Sequence, residues 1–208
     1  MRPFTTLTAV AAPLDMANVD TDKILPARFL RKPREPGYGP YLFHDIRRDA
    51  DGRARPDFVL NQPAYRNAQI LVAGTNFGCG SSREGAVYAL LDSGIRAVIA
   101  PSFGDIHYAN ELQNGMLPAI VSDETAQQLR DVLQRQPGAE LAMDLAAQTI
   151  TAPDGAVHRF DIDATYKERL LKGLDDVGLV LEHLPAIEAY EERRKAEMPW
   201  LATANEQR

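Results

Sequence analysis

The chain has 208 residues, 45% of them hydrophobic and 25% charged, which is enough to bury a full core and ordinary for a soluble globular protein. Its 29 acidic side chains against 23 basic ones give a net charge of −6, so the overall field repels phosphate backbones, and nucleic acid is excluded as a partner. No stretch approaches the roughly 20 apolar residues that span a bilayer, and threonines and Pro13 break the mild apolar run behind Met1, so a cytoplasmic protein with no membrane partner is expected.

Phe4 to Ala11 mixes Thr, Val and Leu in the manner of a strand, and Asp15 to Asp22 reads as a loop. Thr21 and Asp22 stand out there, although an Asx-turn and an N-cap for a short helix through Ile24 to Leu30 account for Asp22 equally well. Arg28, Arg31, Lys32 and Arg34 form a basic patch unusual for an acidic chain, and such runs are commonly solvated. From Gly37 to Gln62 the density of Gly, Pro, Asp and Arg predicts an irregular excursion with short helical pieces, suited to a lid or an interface.

Ile70 to Ala73 has the length and composition of a buried strand, and the string Asn76 to Ala86 follows it. Gly78 and Gly80 allow positive φ and a close approach to a ligand, and Ser81 or Ser82 can cap the helix that Arg83 and Glu84 open. Gly78, Cys79 and Gly80 thus form a candidate oxyanion turn, whose amides and helix dipole favour a carboxylate, a phosphate or a developing negative charge. Arg83 can grip a carboxylate through two parallel hydrogen bonds. The plainer account is a turn and a cap with Arg83 and Glu84 solvated. Cys79 is the single cysteine, which excludes an internal disulfide and a cysteine-rich metal site built by this chain alone. With no histidine near it in sequence, it reads as a packing residue rather than a nucleophile.

The loop helix is expected from about Ser82 to Ser93, with Ala86, Val87, Ala89 and Leu90 inward and Gly94 as its stop. A strand at Ala97 to Ala100, a helix from Gly104 to Gln113 and a strand at Leu117 to Val121 follow, an alternation that implies parallel pairing through crossover helices. Ser122 caps a helix through Gln136. Glu140 to Asp144, Thr149 to Ala152 and Val157 to Ile162 read as short antiparallel strands, and Asp163 caps a helix to Lys172 closed by Gly173. Pro185 to Glu197 reads as a charged, amphipathic helix that packs on its own domain or on a partner, within one domain covering 1–208. His44, His107, His158 and His183 show no metal-binding spacing, so structural roles and no metal are expected.

Gly74-x-x-x-Gly78-x-Gly80 imitates a dinucleotide-binding turn, but it lies deep in the chain, and Ser-Ser-Arg stands where a P-loop has Gly-Lys-Ser/Thr. The string is not Gly-x-Ser-x-Gly either, which argues against a serine hydrolase. A non-catalytic carboxylate-binding module stays open.

The whole string Asn76 to Ala86 resembles the serine loop of the small, swivelling domain of the aconitase superfamily. Asn18-Val-Asp-Thr-Asp22 with Pro26, and Ala100-Pro-Ser-Phe-Gly-Asp105, resemble further segments in family order, so the likeness runs from about Leu7 to about Tyr190. With this chain length it resembles the small-subunit family of the bacterial 3-isopropylmalate dehydratases. The resemblance implies an α/β fold, a swivelling β/β/α domain whose mixed sheet has parallel central strands flanked by helices. It implies a hydro-lyase subunit that isomerises 2- and 3-isopropylmalate through isopropylmaleate in leucine biosynthesis. Ser81 is then the catalytic base, Ser82 and Arg83 bind the substrate, and Thr21 and Asp22 buttress them, with Asp22 orienting Arg83 or a partner-chain histidine. The loop carrying Leu25, Phe29, Leu30, Arg31 and Arg34 selects the substrate's side group; its apolar members suit an isopropyl group, and Arg31 or Arg34 a carboxylate. Enzymes of this kind hold a 4Fe-4S cluster through three cysteines, so the cluster is expected on a partner large subunit, with no cofactor bound by this chain. The family usually has histidine where this chain has Gly85, which leaves other substituted malates open, of the dimethylmalate, citramalate or homocitrate type.

Overall fold

The long strand β1 (Thr6–Leu14) organises the chain. Its C-terminal half pairs in parallel with β2 (Ile70–Ala73), which pairs with β3 (Ala97–Ala100), which pairs with β4 (Leu117–Ile120). Its N-terminal half pairs antiparallel with β5 (Glu140–Asp144), and β6 (Thr149–Thr151) and β7 (Val157–Arg159) continue that side. The order is therefore β4-β3-β2-β1-β5-β6-β7, a mixed seven-stranded sheet in which the parallel run reaches the middle. Asp161, just past β7, bridges Ile120 at the end of β4, so the sheet curls until its two edges approach. The structure is a computed structural model; it describes residues 1–202, which fall into two units, 1–173 and from Leu174 on.

The parallel strands are short and apolar throughout because both of their faces are covered. Side chains alternate across the pleat. Leu71, Ala73, Val98 and Ala100 join one core beneath α3 (Glu84–Asp92) and the 37–65 excursion, while Ile70, Val72, Ala97, Ile99, Leu117 and Ala119 join a second core with α5 (Asp123–Arg135) and α6 (Ala164–Lys172). The loop after β1 holds α1 (Thr21–Ile24), and the excursion holds only short 3-10 turns and α2 (His44–Arg47), as its composition predicts. α4 (Asp105–Gln113) crosses from β3 to β4.

The first strand runs later than expected, through Pro13. That proline lies beyond the last β5 partner, Val10, so only β2 flanks it and its missing N–H breaks no ladder on the other side. β7 ends at Arg159 rather than Ile162 because the chain there turns to β4. Ser122 and Asp163 cap their helices as anticipated, and Gly173 closes α6 at φ 70°. In the second unit α7 (Asp176–Leu181) is followed by α8 (Leu184–Glu197), none of whose residues is buried.

Candidate functional site

Three segments that lie far apart in sequence are tied together by backbone hydrogen bonds at the ends of β1, β2 and β3. Gly78 N donates to Val19 O at 2.7 Å and Thr21 N to Cys79 O at 2.9 Å, which joins the 18–22 loop to the glycine turn. Phe77 N donates to Ser102 O at 3.0 Å and Gly104 N to Phe77 O at 2.8 Å, which joins the turn to the segment before α4. Asn76, in left-handed backbone at φ 61°, donates through its amide to Asn18 Oδ1 at 2.8 Å.

The glycines are there for steric reasons. Gly78 has φ +72°, and a Cβ on it would lie 2.1 Å from Cδ2 and 2.2 Å from Cγ of His107. Gly80 has φ +89° beside Asp20 and Thr21. The expectation that Gly78 belongs to an oxyanion turn is corrected in part: its amide is already committed to Val19. The amides from Gly80 to Arg83 donate to no backbone carbonyl among the described residues. The expected serine cap is also absent. α3 begins at Glu84 with Arg83 as its N-cap in extended backbone, and no side chain caps it, which leaves Ser81 and Ser82 exposed on the turn.

Around this turn the predicted residues converge. Thr21, buried, donates its hydroxyl to Ser81 O at 2.7 Å, fixing the serine's backbone. Asp22 accepts from Ala27 N at 2.8 Å and from the Arg83 guanidinium. The Ala27 amide, followed by Arg83, holds the Asp22 carboxyl below the usual carboxylate range. Asp22 therefore both holds the Ala27 amide after α1 and engages Arg83. Thr21, Gly78, Gly80, Ser81, Ser82 and Arg83 line a cavity of about 170 Å³ together with Gly104, Asp105, Ile106 and His107. A larger cavity of about 550 Å³, near Pro13, Phe58 and Tyr65, contains none of these residues.

The loop carrying Leu25, Phe29, Leu30, Arg31 and Arg34 is brought to the start of α3 only in part. Leu25 is fully buried in the core, and Phe29 stacks on Tyr41 with ring centroids 4.3 Å apart. Arg34 is held by Asp92 at 2.6 and 3.0 Å and lies over Tyr88, so its guanidinium secures the loop to α3 and is not free for a carboxylate. Leu30, Arg31 and Arg34 are the exposed members, and of these Arg34 is committed to Asp92. Leu30 rests on Gly85, where a Cβ would meet its Cδ2 at 2.7 Å and Leu25 Cδ2 at 3.1 Å. The absence of a side chain at 85 is what lets this loop lie against the helix.

Sequence reasoning passed over two further features. Asn114 donates to Glu84 Oε1 at 2.9 Å, tying the end of α4 to the start of α3. Behind the glycine turn, His107 and Glu111 form a wholly buried pair with Nε2 2.9 Å from Oε1. Their i, i+4 spacing on an inward helix face was the available signal. Cys79 is free and partly buried. A 4Fe-4S cluster finds no fit within this chain: it offers one cysteine, and no group of three His, Cys, Asp or Glu able to hold a metal ion occurs among the described residues. No helix among those residues is long and apolar enough to cross a membrane.

Comparison with known proteins finds matches over most of the chain. A family model for the aconitase C-terminal domain matches residues 1–124, a model described as LeuD_N matches 127–164, and one for the C-terminal domain of the 3-isopropylmalate dehydratase small subunit matches 176–204. Curated relatives named 3-isopropylmalate dehydratase small subunit include one from Jannaschia sp., 53% identical, and one from Xanthobacter autotrophicus, 55% identical; each comparison covers 97% of this chain and 100% of the relative. A crystal structure of 3-isopropylmalate dehydratase from Methanocaldococcus jannaschii superposes with a TM-score of 0.62 at 26% identity, covering 89% of this chain and 99% of that one.

Proposed function

The chain belongs to the 3-isopropylmalate dehydratase small-subunit family of the aconitase superfamily, and from that premise we propose that it works as the base-bearing half of a two-subunit hydro-lyase in leucine biosynthesis. The observation that carries the site assignment is the exposed Ser81-Ser82-Arg83 turn, its backbone held by Thr21 and its arginine by Asp22. Ser81, as alkoxide, removes the proton from the carbon next to the departing hydroxyl of isopropylmalate, giving isopropylmaleate, and returns it on rehydration. A serine hydroxyl is ordinarily far too weak an acid for this, so the free amides from Gly80 to Arg83 must stabilise the charge. Asp22 engages one nitrogen of the guanidinium, which leaves Arg83 other donors for a substrate carboxylate. Ser82 donates a further hydrogen bond. Leu30 gives the substrate's isopropyl group an apolar neighbour, with Arg31 at the rim, whereas Leu25 and Arg34 hold the loop in place.

The partner is a large subunit, and the 4Fe-4S cluster belongs to it, since this chain has one cysteine. Bound there, the cluster supplies a Lewis acid for the hydroxyl that leaves. The test is anaerobic purification of this chain with that large subunit, followed by ultraviolet detection of the unsaturated diacid from isopropylmalate, citramalate, dimethylmalate and homocitrate. Turnover of isopropylmalate with both subunits present, lost by at least about 100-fold in Ser81→Ala while the two chains still copurify, is expected. Turnover of citramalate in preference to isopropylmalate reassigns the substrate; a fully active Ser81→Ala removes Ser81 as base.

A further inference from the structure

The most costly arrangement in the first unit is the His107 and Glu111 pair. Both side chains are at least 98% buried, and although Nε2 and Oε1 are 2.9 Å apart, neither ring nitrogen nor either carboxyl oxygen has an aligned hydrogen-bond partner among the described residues. Burying such groups so poorly satisfied works against stability, so stability alone does not account for them. Their place is informative. The ring's Cδ2–Cγ edge touches Gly78, three residues before Ser81, and the ring meets Phe77 in a T-shaped arrangement with centroids 5.5 Å apart. His107 lines the same cavity as Ser81, Ser82 and Arg83, while Glu111 sits one helical turn further from the turn.

We propose that His107 and Glu111 are positioning residues for proton abstraction by Ser81, sharing one buried proton that sits toward the imidazole while Ser81 is an alkoxide and returns to the carboxyl once Ser81 has taken the substrate's proton. The inference rests on the assignment of Ser81 as base. In the shift toward the imidazole, the Oε1–H bond of Glu111 breaks and an Nε2–H bond forms on His107, which leaves a carboxylate away from the turn and an imidazolium against it. No proton leaves the pair. Burial pushes the Glu111 carboxyl up, opposed by His107. Because the pair itself is buried, a reorientable charge of this kind is screened less than one at the surface.

The ionisable groups on the elements around the pair are few. β4 carries none; α3 contributes Glu84, which Asn114 engages, and Tyr88 and Asp92, which Arg34 contacts. The turn contributes Cys79 and Arg83, the latter paired with Asp22, and α4 itself contributes Asp105 and Tyr108.

The experiment measures kcat and KM of the assembled two-subunit enzyme against pH for three variants. His107→Phe/Glu111→Leu replaces the pair by an apolar one of similar size, which should melt no lower than the wild type. Glu111→Gln keeps the size and shape of the side chain beside the ring but has no acidic proton to pass on. Ser81→Ala reports on the base. Both pair variants are expected to lose about tenfold in kcat at neutral pH with KM within about twofold, and the rise of kcat with pH should move up by about one unit. Wild-type kcat and pH profile in either pair variant, with Ser81→Ala inactive, overturn this inference alone. An active Ser81→Ala overturns the base assignment and this inference with it.

Discussion

Replacing Gly78 with alanine should be among the most damaging single-atom additions in the chain. The residue has φ +72°, where a side chain costs roughly 1–2 kcal/mol, and its new Cβ would stand 2.1 Å from a ring carbon of His107 and 2.6 Å from that residue's Cβ. The obstacle is not a free end, because the ring is fixed between Phe77 and Glu111. Overpacking of this kind adds about 1–3 kcal/mol, for a total of about 2–5 kcal/mol. For a chain of this size each kcal/mol lowers Tm by about 2–4 °C, so a drop of roughly 4–20 °C is expected in a thermal melt. Combining Gly78→Ala with His107→Gly removes both the ring and the Cβ that the new methyl would meet, and the pair should be less harmful than the sum of the singles by about 2 kcal/mol. Strict additivity, or a melting shift under about 2 °C for Gly78→Ala, would refute the steric account of this glycine.

Arg83→Lys keeps a positive charge but loses the planar fork, so KM for the dicarboxylate should rise about tenfold with a smaller fall in kcat, and an unchanged KM counts against carboxylate binding at this residue. Gly85→Ala should push Leu30 off the start of α3, at a cost of only about 1 kcal/mol since the leucine's end is flexible. Its kcat/KM should fall more for the isopropyl substrate than for a methyl one, and equal loss on both removes Leu30 from side-group selection. Asp45 is held at about 2, first by Arg28. A folded value below that of the unfolded chain stabilises fully above the unfolded value, and the gain is lost as pH falls through about 2. The small gap in urea midpoint between wild type and Asp45→Asn should therefore close between about pH 4 and pH 2, whereas a gap that widens there contradicts the pairing.

Most of the architecture could be read from the sequence because the parallel strands are continuous apolar runs and the glycine and proline signals bracket them. Ser122, Asp163 and Gly173 mark helix ends by purely local chemistry, and the structure keeps all three. The string Asn76 to Ala86 and the pair Thr21 and Asp22 were legible as one site only through the family resemblance. What could not be read depends on contacts distant in sequence. Arg34 looked like a free cation until Asp92, 58 residues on, appeared beside it. The Gly78 amide looked available until Val19 took it, and Ser81 and Ser82 looked like caps until the turn carried α3's first residue past them. His107 passed as an ordinary core histidine because nothing local reveals that its ring touches Gly78.

The division of β1 between two partners also sets a timetable for synthesis. Ala11 to Leu14 can dock once Ile70 to Ala73 has emerged, but Thr6 to Val10 must wait for Glu140 to Asp144, about 70 residues later. At about 5–20 residues per second the ribosome leaves that half-strand without its neighbour for roughly 4–14 s. During that interval a nascent chain displays an open edge carrying Leu7 and Ala9 beside an already folded parallel layer, a template for pairing with a neighbouring polypeptide. Slowed translation between residues 73 and 140 should therefore raise the demand of this subunit for chaperones more than a pause after 144 would.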